Sequence, residues 1–189
     1  MNPSIAQQRV LLDIARETIR RELHVAAKSI AHDDPILREP AGCFVSLHQL
    51  ADHHLRGCVG GLDANEELIL SLQQAAKSVL KDPRFVDSPV RPEELSQLEI
   101  ELTIIFPMQP AANCLDFEPA DDGIYLTIAN RSGCFLPQVA RETGWTREQL
   151  LARLCQEKLG LPPNQWQDPA AKLMKFHTLI VGPEPFEPR

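Results

Sequence analysis

The chain has 189 residues, 43% of them hydrophobic, which is enough for a substantial folded core and excludes an intrinsically disordered chain. With 26 acidic against 19 basic side chains the formal charge is −7, and no cluster of Lys and Arg occurs, so the balance opposes a nucleic-acid partner. Met-Asn-Pro-Ser leads directly into a charged amphipathic stretch, unlike a signal peptide or a membrane span. Cysteines at 43, 58, 114, 134 and 155 include no Cys-x-x-Cys pair, as expected of reduced thiols in the cytoplasm.

Ser4 followed by Gln7 reads as a capping box. Leu11, Ile14, Ala15, Thr18, Ile19 and Leu23 continue with helical spacing, so a first helix is expected to end near Ser29. Cys43 to Leu47 reads as a strand, and a polar turn from His48 to His54 leads into a second at Leu55 to Val59, making a hairpin. Asp63 with Glu66 gives another cap signature before Leu68, Leu72, Ala75, Ala76 and Val79, a helix expected to reach Lys81. Three prolines between Asp82 and Pro92 rule out a regular element there.

From Leu98 the alternation is strict: Leu98, Ile100, Leu102 and Ile104 share one strand face, while Glu99, Glu101 and Thr103 share the other, which reads as solvated. Gly123 to Ala129 and Gly133 to Leu136, joined by Asn130-Arg131-Ser132, form a second expected hairpin. Pro137 suits the first turn of a short helix. Thr146 with Gln149 opens another, which Gly160 stops. A single final strand is expected from Leu173 to Val181. Hairpins alternating with a few helices indicate an α+β fold of mostly antiparallel sheets, a single domain over 1–189 of two unequal lobes. Trp145 and Trp166 read as core or lobe-interface aromatics.

The densest chemistry lies at Leu55-Arg56-Gly57-Cys58-Val59-Gly60-Gly61. Glycines permit a sharp turn, positive φ and close approach of N–H groups to a bound atom. In that setting Cys58 is a candidate nucleophile, with Arg56 and the amides of Gly57 and Gly60 as its activating and oxyanion-binding surroundings. Equally, a free cysteine serves as a small apolar residue at a strand end. His48, His53 and His54 are candidate bases, or an ordinary polar hairpin tip.

Cys43, His48, His53, His54 and Cys58 do not have the short paired spacings of a zinc site, and His32 or His177 would have to join from afar. Neither metal nor cofactor is expected. Arg56 and Arg84, each beside a turn-forming residue, are a candidate receptor for a small anionic ligand; alternatively Arg84 pairs with Asp82, itself a candidate loop cap. Gln138, at a helix start, is a candidate lining residue.

Four segments, Leu-Arg-Gly-Cys-Val-Gly at 55–60, Asp-Pro-Arg-Phe at 82–85, Phe-Leu-Pro-Gln-Val-Ala at 135–140 and Gly-Trp at 144–145, occur in this order. In this the chain resembles the AMMECR family, the domain named for the AMME-syndrome chromosomal region, over about Leu11 to Ile180. The resemblance implies a two-lobed α+β intracellular protein whose gene accompanies those of Memo-like and radical-SAM proteins. It makes these candidate partners and assigns no activity. Two functional expectations therefore stand: a small-anion site with Cys58 as nucleophile, or a non-catalytic interaction module for the two partner proteins.

Overall fold

In the computed structural model, which describes residues 3–30 and 33–187, the Ser4 hydroxyl accepts the Gln7 amide while the Gln7 side chain accepts the Ser4 amide. This box starts α1 (Ile5–Glu22). The helix stops well before Ser29 because His24 takes φ of 56° and the chain turns back, Glu17 accepting the Lys28 amide and Arg21 reaching the Lys28 carbonyl. No glycine or proline marks that reversal.

Residues up to Phe106, together with those from Leu179 onward, form one compact unit, and Pro107–Thr178 forms the other. In the first unit β1 (Gly42–Gln49), β2 (Leu55–Gly61), β3 (Leu98–Ile105) and β8 (Thr178–Pro185) make a sheet in the order β2-β1-β3-β8, with β1 antiparallel to both β2 and β3. Val45, Leu47, Ile100, Leu102 and Ile104 are sealed on one face, in the same core as Leu11, Ile14 and Ile19 of α1 and Leu68, Leu72 and Ala76 of α2 (Leu68–Ser78). Each such Leu or Ile removed from water contributes about 1.5–3 kcal/mol.

The expected Asp63–Glu66 cap does not form. Asp63 accepts from the Asn65 amide and side chain, and α2 begins only at Leu68, whose amide is taken by the Glu39 carbonyl at 2.9 Å. A tertiary acceptor thus replaces the cap. The proline-rich connection carries short 3-10 turns at Pro83–Phe85 and Pro92–Gln97.

In the second unit β4 (Gln109–Pro110), β5 (Gly123–Ile128), β6 (Arg131–Phe135) and β7 (Lys172–Phe176) form a sheet in the order β4-β7-β5-β6. Its core joins Ile124, Leu126 and Phe135 to Ala140 of α3 (Pro137–Thr143) and Leu150, Leu151 and Leu154 of α4 (Arg147–Leu154). Ile128 pairs with Arg131, so the hairpin turn is two residues long, with Ala129 at φ of 53°, and not the Asn130-Arg131-Ser132 turn expected. The Thr146–Gln149 box forms, and Gly160, at φ of 62°, ends the last helical turn. The single final strand is in fact two: β7 belongs to the second sheet and β8 to the first. Both units are antiparallel sheets with helices packed on them, an α+β fold.

Candidate functional site

The Arg-Gly-Cys stretch is an edge strand. Cys58 pairs with Ser46, and among the described residues no strand pairs with the other side of β2. Gly57, Gly60 and Gly61 do not adopt positive φ, which among the described glycines occurs at Gly144, Gly160 and Gly182. Their lack of a side chain serves packing: a Cβ on Gly57 would stand 3.0 Å from the Val79 carbonyl oxygen, and one on Gly60 would stand 2.2 Å from that of Cys43. The turn that would gather amides around an oxyanion is therefore replaced by extended backbone.

Asp82 and Arg84 hold the outer edge of β2. The Cys58 amide donates to Asp82 Oδ2 at 2.8 Å, and Arg84 Nη2 donates to the Cys58 carbonyl at 3.0 Å. The two side chains also grip each other, Arg84 Nε on Oδ1 at 3.0 Å and Nη2 on Oδ2 at 2.6 Å, while Oδ1 accepts the Arg84 amide. Proline at 83 starts this tight turn with its φ already fixed. Asp82 is only 3% exposed, yet the Arg84 guanidinium holds its carboxyl well below the usual carboxylate range, more than burial raises it. Arg84 is raised in turn, chiefly by its hydrogen bond to Asp82.

Arg56 goes elsewhere. Its Nε and Nη2 fork onto Glu94 at 2.9 and 3.3 Å, Nη2 also reaches the Ser88 carbonyl at 2.8 Å, and Nη1 is buried with no hydrogen-bond partner among the described residues. The guanidinium carbons of Arg56 and Arg84 lie 5.5 and 6.0 Å from the Phe85 ring centre. Both arginines thus converge on an aromatic ring, each with a carboxylate of its own.

Register builds the other face of the sheet. Ser46 pairs with both Cys58 and Glu101, His48 with Glu99, and Phe44 with Thr103, so these side chains share the face opposite the helices. The expected solvated face is absent: Glu99 is 5% exposed, Thr103 is buried and Glu101 is half-buried. Glu99 finds its partner in His53, whose Nδ1 is 2.6 Å away, and this carboxylate raises the His53 pKa. Glu101 is itself raised, chiefly by burial. His54 pairs with Asp52 at the exposed tip, at 2.8 Å. Burial pushes the Cys43 thiol up to about 12 and also raises those of Cys114, Cys134 and Cys155.

Of the candidate residues, the first unit brings Cys58, Asp82 and Arg84 into direct contact. Gly57 and Gly60 lie on the same strand. Gln138 belongs to the second unit, at the start of α3, where its Oε1 is buried and unpaired among the described residues. His177 lies there too, 3.4 Å from Asp122, and His32 falls outside the described residues. Among the described residues no three His, Cys, Asp or Glu side chains gather as metal ligands. A cleft of about 370 Å3 lies on the helix side of β2, lined by Val59, Gly60, Gly61, Ser71, Gln74 and Ser78, without Cys58.

Sequence reading missed Ser46, Glu94 and Glu101. The alternation of Phe44, Ser46 and His48 against Cys43, Val45 and Leu47 carried a signal for the first. Aligning it with Glu99, Glu101 and Thr103 required the register.

These features define an α+β protein with a half-exposed cysteine on a clamped strand edge. Residues 12–181 match AMMECR1, and the chain belongs to that family. Protein MJ0810 of Methanocaldococcus jannaschii is 36% identical over 177 residues, covering 89% of this chain and 86% of its own. A protein of Methanothermobacter thermautotrophicus is 36% identical over 185 residues, 91% of this chain and 92% of its own. The crystal structure of uncharacterized protein PH0010 from Pyrococcus horikoshii matches with a TM-score of 0.72 at 32% identity, covering 90% of this chain and 88% of that one. No helix among the described residues is long and apolar enough to cross a membrane.

Proposed function

We propose that the chain is a thiol-dependent group-transfer protein in which Cys58 takes up a group from a small substrate. One observation carries this reading: Cys58 is half-exposed while its amide and its carbonyl are both fixed by the Asp82–Arg84 pair, at 2.8 and 3.0 Å. A fixed backbone aims the sulfur, and a guanidinium is a favourable neighbour for a thiolate, the attacking form. An anionic group on the substrate would be met by Arg84, whose side chain is 55% exposed, and not by Arg56, at 8%. Competitive alkylation with limiting iodoacetamide at neutral pH, read by peptide mass, should label Cys58 about tenfold faster than Cys114 or Cys134. Equal labelling of the three would sink the proposal.

Val86, directly after the clamp and 72% exposed, favours a second reading, in which the same edge docks a partner protein. Memo-like and radical-SAM proteins are the candidates the family resemblance supplies. On this reading Val86→Asp abolishes co-purification with them and leaves Cys58 alkylation unchanged; no binding by the unaltered chain removes it.

A further inference from the structure

We propose that the cleft between β2 and α2 binds a small cationic peptide-like ligand: one amide-flanked residue of lysine or arginine type, its backbone on Gly60 and its positive end on Asp63 and Glu66. The strand edge carries the assignment. In an antiparallel ladder, pairs that exchange backbone hydrogen bonds alternate with pairs that do not. Cys58 gives its amide and its carbonyl to the Asp82–Arg84 clamp, so its pair with Ser46 is of the second kind. Gly60, two residues on and opposite Phe44, is of the same kind, and its N–H and C=O point away from β1. No second clamp takes them among the described residues, and Gly60 stands in the wall of the cleft. A donor and an acceptor together on a strand edge are what another amide backbone pairs with.

The walls set the size and charge of the occupant. The clamp closes the edge at Cys58 and β2 ends at Gly61, which leaves room for one residue of added backbone and not for the strand of another protein. The cleft, about 370 Å3, is near the lower end of the ~300–1,000 Å3 of small-molecule sites. Asp63 and Glu66 line it and no Lys, Arg or His does, so it favours a cation. Ser71, Gln74 and Ser78 follow at helical spacing on α2 and make the facing wall polar, beside the Leu68, Leu72 and Ala76 stripe that the core seals. Gly61 keeps the cleft open. A side chain there would stand on the same face as Val59, and its Cβ would have the Asp63 nitrogen, at 4.0 Å, as its nearest contact beyond its chain neighbours, so packing does not demand glycine. Cys58 is not in these walls, and the site is independent of the thiol reading.

The test titrates the isotope-labelled full chain with N-acetyl-lysine N-methylamide and follows backbone amides by NMR. The Gly60 amide should shift saturably at ligand concentrations up to ~10 mM. N-acetyl-glutamate N-methylamide, the same backbone with opposite charge, should bind at least ~10-fold more weakly. Gly61→Leu, which places hydrocarbon in the cleft, should weaken binding of the lysine compound by ~10-fold or more. A Gly60 amide that does not move overturns the proposal even where Asp63 and Glu66 respond, since that is ion pairing at the rim alone. Equal binding of the two analogues overturns it as well, and so does undiminished binding by folded Gly61→Leu. Should Gly61→Leu misfold, Ser78→Leu on the facing wall decides in the same way.

Discussion

The two faces of the first sheet are built from the same strands and obey different rules. Toward the helices stand Val45, Leu47, Ile100 and Leu102, all sealed. Toward the other side stand Ser46, Cys58, Glu99 and Glu101, buried or half-buried although three of them carry a hydroxyl or carboxylate. Burial of apolar area stabilises, whereas burying a polar group costs unless a partner compensates it. The helix-facing side therefore holds the fold, and the opposite side carries groups that stability alone would not select.

Substitutions at neighbouring positions of β1 and at the clamp test this contrast. Leu47→Ala should have the largest effect, lowering unfolding free energy by about 2–5 kcal/mol in urea titrations. Asp82→Asn should cost less, about 1–3 kcal/mol, because the Cys58 amide and the Arg84 guanidinium lose a charged acceptor. The sign with pH follows from the lowered carboxyl. Its stabilisation is fully present above the unfolded value near ~3.9 and is lost as pH falls below that toward the folded value. Acid titration should therefore show a destabilising limb in the unaltered chain that Asp82→Asn lacks. Ser46→Val should change stability least, by under about 1 kcal/mol, since an apolar side chain of similar shape needs no partner. If Ser46→Val costs as much as Leu47→Ala, the two faces are equivalent and the contrast disappears.

Local signals were readable before the structure. Ser4 with Gln7 and Thr146 with Gln149 cap helices because hydroxyl and amide sit three residues apart, and the alternation from Leu98 to Ile104 marked a strand, though not the burial of its acidic face. The passage from β7 to β8 was not readable, because Leu173 to Val181 has no glycine or proline where the strand changes sheet. The same holds at the site. Cys58, Asp82 and Arg84 stand out as residue types, but the partner of Arg56 is Glu94, 38 positions away, and only tertiary structure makes that choice. Glycine-rich sequence suggested a turn at 57–61; close packing against Val79 and Cys43 explains the same glycines in an extended strand.

The Asp-Pro-Arg turn has one more effect. By occupying an N–H and a C=O that would otherwise face outward, it denies a neighbouring molecule the template for adding its own strand to β2. Loosening the turn would thus expose a sticky margin, turning a solubility safeguard into a seed for self-association.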